Sequence, residues 1–216
     1  AGLTADLNLI TTAPHLLPGW LRMPQGHRVV GPVYARLPGE LPEFLADLAA
    51  GPQPLVYFAM GSSGNRDLVL HVLAGLGRAD CQVLAPVRSH LRQEDLETLP
   101  RNVHVTDWIP AHQLGDAVDL AITHGGEGTV QTSCVQGWPF IGIPLQFEQR
   151  FNVQRCVAFG SARLVSQREA RRTDWAELVR QALADDGMRS RARRMAEFME
   201  GLDGPGRAAE AICELL

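Results

Sequence analysis

Uninterrupted apolar runs alternate along this chain with stretches whose apolar residues recur every three or four positions. Residues 54–60, 81–87, 102–108, 120–123 and 140–143 are runs of the first kind, which predicts buried strands. Leu68, Val69, Val72, Leu73 and Leu76 have helical spacing, and helix is predicted again from about 128 to 136 and from 151 onward. A short apolar piece at 162–165 precedes two charged helices. Upstream, 7–12 predicts a short strand, 14–24 is rich in proline, and 28–34 predicts a second extended piece. Residues 38–54 hold one short amphipathic helix between proline breakers. Strands that alternate with helices need crossover connections. The expected fold class is therefore α/β, a Rossmann-like parallel β-sheet with helices on both faces.

Composition narrows the picture. With 216 residues, 45% of them hydrophobic and 20% charged, the chain can bury one substantial core. A formal net charge of -4 speaks against a nucleic-acid partner, which would call for a basic face. Basic residues gather between Arg163 and Arg194 but alternate there with acids, as on a solvated helix face. Cys81, Cys134, Cys156 and Cys213 have neither paired nor metal-like spacing, and each lies among apolar residues. Buried free thiols and a reducing, cytoplasmic setting are expected. No apolar run approaches the roughly 20 residues of a membrane span, and no signal peptide opens the chain. The first residue is Ala1 rather than Met, as in a piece of a longer protein.

In open parallel sheets, ligands bind beyond the carboxyl ends of the strands. Three loops at such ends stand out: 61–65, 108–110 and 124–129. The last follows an apolar strand and reads His124, Gly125, Gly126, Glu127, Gly128, Thr129 before a helix. A helix start offers unpaired N–H groups and a positive dipole end, which favour an anion. Glycines let the backbone approach it and permit positive φ. His124 and Thr129 add side-chain donors, so the set suits a diphosphate. The same spacing also fits a tight turn capped by Thr129, with His124 satisfied by backbone. Neither a phosphate-loop nor a dinucleotide fingerprint is present.

Beyond this turn, Trp108 with Pro110, Gly137 to Pro144, the trio Phe147, Glu148 and Gln149, then Asn152 and Gly160 follow in order. This series resembles the carboxyl-terminal, donor-binding half of GT-B glycosyltransferases, in the UDP-glucuronosyltransferase and bacterial macrolide and antibiotic glycosyltransferase superfamily. The resemblance covers nearly the whole chain. It implies a remnant of an amino-terminal domain and linker at 1–34 and a nucleotide-sugar-binding domain at 35–216. The strand at 7–12, parted from its sheet, becomes an edge liable to pair with another copy.

The resemblance also assigns roles. Trp108 and Ile109 would hold the base. His124, Gly126, Gly128 and Thr129 would grip the diphosphate, with Ser62 and Ser63 across from them. Thr132 would lie by the ribose. Glu148, Gln149 and Glu127 would meet the sugar, although a carboxylate beside a diphosphate is repelled, so Glu127 would either point away, bind a sugar hydroxyl or reach toward the missing domain. Relatives often carry glutamate in place of Thr132, where it bonds both ribose hydroxyls; threonine favours a dTDP-sugar over a UDP-sugar. The implied reaction is inverting transfer from a dTDP- or UDP-sugar to a hydroxyl of a small-molecule acceptor, such as a natural product. The helix start and His124 would stabilise the departing diphosphate. No separate cofactor and no metal are implied, and neither Asp-x-Asp nor a ligand-spaced His/Cys cluster occurs. The acceptor pocket and catalytic base belong to the amino-terminal domain, so no catalytic residue is expected in this chain. Other readings are a non-catalytic nucleotide-sugar module, as in an auxiliary subunit, and a sugar-nucleotide epimerase of the same fold.

Overall fold

A computed structural model describes residues 5–19, 21–33 and 36–215. Two short strands, β1 (Asn8–Ile10) and β2 (His27–Val29), pair in parallel as a sheet of their own. The strand expected at 7–12 is thus already paired along one side. Tyr34 and Ala35, where the domain division was expected, lie outside the described residues, as does the end of the extended piece 28–34.

After α1 (Leu45–Ala50), the chain alternates β3 (Leu55–Ala59), α2 (Arg66–Leu76), β4 (Gln82–Ala85), α3 (Gln93–Leu96) and β5 (Val103–Val105). It continues through β6 (Leu120–Thr123), α4 (Glu127–Gln136), β7 (Phe140–Gly142), α5 (Phe147–Phe159) and β8 (Ala162–Leu164). All six strands from β3 to β8 are parallel, in the order β5-β4-β3-β6-β7-β8. The chain winds outward from β3 to β5, then crosses back to lay β6 on the other side of β3. That reversal leaves a crevice between the β3 and β6 loops, the switch point where such sheets take ligands.

Every residue of β3 and β6 is buried, because helices cover both faces. Their side chains still alternate. Val56, Phe58, Leu120 and Ile122 join the core with α2 residues and Trp175, whereas Leu55, Tyr57 and Ala121 join Trp138, Met195 and Met199.

Three local features differ from the sequence reading. Helix α5 begins at Phe147 rather than near 151, so Phe147, Glu148 and Gln149 form its first turn. The charged tail forms four helices rather than two: α6 (Gln167–Ala170), α7 (Trp175–Leu183), α8 (Asp186–Glu200) and α9 (Gly204–Cys213). Ser166, Asp174, Asp185 and Asp203 each accept a backbone N–H at a helix start and so divide the tail. Several of the arginines there are paired, Arg163 with Asp185, Arg180 with Glu177 and Arg189 with Asp186. Finally, Cys81, Cys134 and Cys156 are buried free thiols, but Cys213 is exposed at the end of α9. Among the described residues no helix is long and apolar enough to cross a membrane.

Candidate functional site

His124 follows β6 directly and is 7% exposed. Its ring is wedged between two glycines. A Cβ built on Gly61 would stand 2.5 Å from Cε1, and one on Gly126 would stand 2.4 Å from Nε2. Gly61 lies in the turn that follows the neighbouring strand β3, so both walls of the switch point close on this ring. Its Nδ1 is buried with no hydrogen-bond partner among the described residues. No hydrogen bond of normal geometry reaches that nitrogen from the backbone. Burial lowers its pKa below the ordinary imidazole value, against upward pulls from the Ala59 carbonyl and the Glu148 carboxylate and with a small push down from His90. The Ala59 carbonyl is near the ring without meeting hydrogen-bond geometry. A neutral ring with an unmet polar atom results, and a buried group left unpaired costs about 1–3 kcal/mol.

The glycines of the turn differ in function. Gly125, at φ +82°, packs its Cα against Val153 and the Gln149 carbonyl, where no side chain fits. Its N–H donates to Thr123 Oγ1 at 2.8 Å, and its carbonyl accepts from Asn152 Nδ2 at 3.1 Å. Gly126 is the N-cap of α4 and contributes no side-chain cap. Gly128, in the first turn, has nothing within 4 Å of a built Cβ. The first turn of α4 is thus uncapped and open above Gly128, an arrangement ready for an anion. Thr129 is half-buried and donates to the Gly126 carbonyl at 2.9 Å, with Thr123 Oγ1 3.2 Å away.

Across the crevice, Ser62 is exposed, and Ser63 Oγ lies 3.2 Å from Gln149 Nε2 and 3.4 Å from Gln146 Nε2. Gln149 is buried, and its Oε1 accepts the N–H groups of Leu145 and Gln146. In this structure it braces the β7–α5 turn, while its neighbour Glu148 stays exposed. Of the placements open to Glu127, the structure directs it at the amino-terminal segment, where its Oε1 accepts from the Thr11 hydroxyl at 2.6 Å. Thr132 Oγ1 donates to the Gly128 carbonyl at 2.8 Å, one turn further along α4.

Trp108 follows β5 and is 60% exposed. Its ring rests by Gly39, where a Cβ would stand 3.1 Å from Cζ3. Ile109 beside it is buried. Three strand spacings separate β5 from β6, about 14 Å. Trp108 and His124 thus lie on the same carboxyl edge of the sheet, Trp108 past its outer strand and His124 near its middle.

Sequence reading missed His90. It lies in a three-residue 3₁₀ turn after β4, with Nε2 2.7 Å from the Gly61 carbonyl, and so props the turn against which His124 leans. Nothing local marks it, since the sheet order alone sets β4 beside β3. No group of three or more His, Cys, Asp or Glu able to hold a metal occurs among the described residues.

A doubly wound sheet with this histidine and bare helix start at its switch point has the Rossmann-like architecture of one half of a GT-B glycosyltransferase. The glycosyltransferase VinC, solved with dTDP, superposes with a TM-score of 0.76 at 19% identity, over 95% of this chain and 51% of that one. The spinosyn rhamnosyltransferase SpnG, solved with thymidine diphosphate, gives 0.78 at 20% identity, over 98% and 57%. The chain belongs to the family of the erythromycin biosynthesis protein CIII-like C-terminal domain, which matches residues 70–215. It is 29% identical over 194 residues to a PGL/p-HBAD biosynthesis glycosyltransferase of Mycobacterium tuberculosis, covering 89% of this chain and 44% of that protein. It is 30% identical over 219 residues to 4'-demethylrebeccamycin synthase of Lentzea aerocolonigenes, covering 97% and 50%. The chain spans about half the length of the curated relatives it matches.

Proposed function

We propose that this chain binds the nucleotide diphosphate of an activated sugar at the start of α4 and forms the donor half of an inverting glycosyltransferase acting on a hydroxyl acceptor. The observation that carries the reading is His124, pinned at the switch point with an unmet ring nitrogen beside an uncapped helix start. The N–H groups of Gly128 and Thr129 and the His124 ring lie where a diphosphate would be held. Ser62 and Ser63 face it from the β3 loop. Charge that builds on the departing diphosphate is stabilised by donors already in place, each contributing a few kcal/mol.

Trp108, exposed at this edge of the sheet, takes the base by stacking, and the backbone of Ile109 reads its edge. Glu148, exposed at the start of α5, accepts hydrogen bonds from sugar hydroxyls, and Gln149 keeps that turn in shape with one amide hydrogen to spare. Thr132 has no carboxylate with which to bridge two ribose hydroxyls, and its own hydroxyl is engaged by Gly128. A deoxyribose forgoes less there, which favours dTDP over UDP. Two relatives of the same fold solved with that nucleotide support the choice.

Titration calorimetry and thermal shift with dTDP and UDP test the reading. A ligand at a hundred times its dissociation constant stabilises by about 2.7 kcal/mol. The parent should show this shift with dTDP, and His124→Ala should not. A mutant that responds as the parent does would place the diphosphate elsewhere. Tighter UDP than dTDP binding would remove the nucleotide preference alone.

A further inference from the structure

Glu127 is the first residue of α4, so a carboxylate stands at the helix end that the proposed function gives to a diphosphate. A free carboxylate there would take up the first-turn N–H groups itself, since anions are stabilised at a helix start. The structure shows it drawn aside. Its Oε1 accepts from Thr11 Oγ1 at 2.6 Å and from Gln131 Nε2 at 3.0 Å. Gln131 Nε2 also donates to the Thr11 carbonyl at 2.7 Å, which closes a three-residue node between α4 and a segment 116 positions away in sequence. Gln131 is buried, and its Oε1 is without a partner among the described residues. Both of its acceptors fix the amide in this orientation, because the reverse would set oxygen against oxygen. The segment is held at a second point, where Arg155 Nε on α5 donates to the Leu16 carbonyl at 2.5 Å.

We infer that Thr11 is a positioning residue for the donor site: its hydroxyl holds the Glu127 carboxylate off the α4 N-terminus and so leaves the first-turn N–H groups open to a diphosphate. Glu127 is then a restrained competitor of the ligand rather than a contact of the sugar. The inference rests on the diphosphate lying at this helix start. It also joins occupancy of that site to the segment that runs from β1 toward β2, and such linkage is reciprocal.

The signs of four variants test it by calorimetry with dTDP, a ligand that carries no sugar. Thr11→Val removes the shorter of the two hydrogen bonds that hold the carboxylate aside and should weaken dTDP about two- to fivefold, the size of a charge effect at an exposed helix end. Thr11→Ser keeps the hydroxyl and should bind as the parent does. Glu127→Gln removes the charge and should bind dTDP at least as tightly as the parent. In the Thr11→Val, Glu127→Gln double variant, binding should return to the level of Glu127→Gln, a rescue that loss of a merely structural contact would not give. If His124→Ala abolishes dTDP binding while Thr11→Val matches the parent, or if the double variant stays weak, the positioning role is wrong and the site stands. If Glu127→Gln weakens dTDP-glucose but not dTDP, Glu127 is a sugar ligand after all. If His124→Ala binds dTDP normally, both the site and the role of Thr11 fall.

Discussion

Gly61 and Gly126 flank the His124 ring and Gly128 follows in the first turn of α4, and a methyl group does not meet the same surroundings at all three. On Gly61 and Gly126 it would strike the His124 ring, and at Gly61 the backbone also sits at φ +53°. Alanine at either position should therefore cost stability and binding together, which says little about a ligand. Gly128 separates the two. Its Cβ would enter open space, and glycine inside a helix is less favourable than alanine by up to about 1 kcal/mol. Gly128→Ala should raise the unfolding midpoint in urea or leave it unchanged, yet weaken dTDP at least tenfold because the methyl occupies the place of the phosphates. A variant that gains stability and keeps its affinity would show that nothing binds over this turn.

The start of α5 teaches what local sequence can and cannot carry. The turn from His124 to Thr129 was legible because its strand, glycines and helix follow one another without a break. The alternating runs likewise predicted five of the six core strands, and the sixth, β8, was read only as a short apolar piece. Phe147 to Arg150, in contrast, has no apolar stripe: Phe147 is 88% exposed and Phe151 46%, so periodicity gave no sign of a helix. Its start is set by Gln149 reaching back to two backbone N–H groups, with none of the usual Ser, Thr, Asp or Asn at the cap. The contacts of His90 with Gly61 and of Thr11 with Glu127 were illegible for another reason. Only the order of strands and the path of the amino-terminal segment bring them together. Gln149→Leu would leave the N–H groups of Leu145 and Gln146 without their acceptor and should cost about 1–3 kcal/mol in a urea melt. Glu148→Ala, next to it but exposed, should stay within about 0.5 kcal/mol of the parent. Equal losses in the two would mean that Gln149 does not brace this turn.

Across the whole molecule, the groups that fix the folded chain also set the pH range in which it is stable. All twenty Lys-or-Arg positions are arginine, so no side-chain ammonium titrates between neutrality and strong alkali. On the acid side, burial lowers His124 and His104 below the ordinary imidazole value. A folded value below the unfolded one, about 6.5, means that the unfolded chain takes up protons first. Stability is then full above about pH 6.5 and declines as pH falls toward the folded values. The carboxylates follow at lower pH. Hydrogen bonds from Arg66, Arg163 and Arg180 hold Asp95, Asp185 and Glu177 low, Glu177 at about 2, so their contributions fade only below the ordinary carboxylate range near 4. On the alkaline side the sign reverses. Burial raises Tyr57 and Cys81, Cys81 to about 11, so the unfolded chain releases protons first and stability falls as pH rises through about 8.5 to 10. Urea midpoints should therefore be flat between about pH 7 and 8 and decline on both sides. His124→Asn should make the acid limb shallower between about pH 6.5 and 5, and Cys81→Ala should flatten the alkaline limb between about pH 8.5 and 10. A parent that gains stability on going from pH 7 to 5 would mean that His124 is stabilised as a cation, and a cationic ring at the crevice would change the charge that meets the diphosphate.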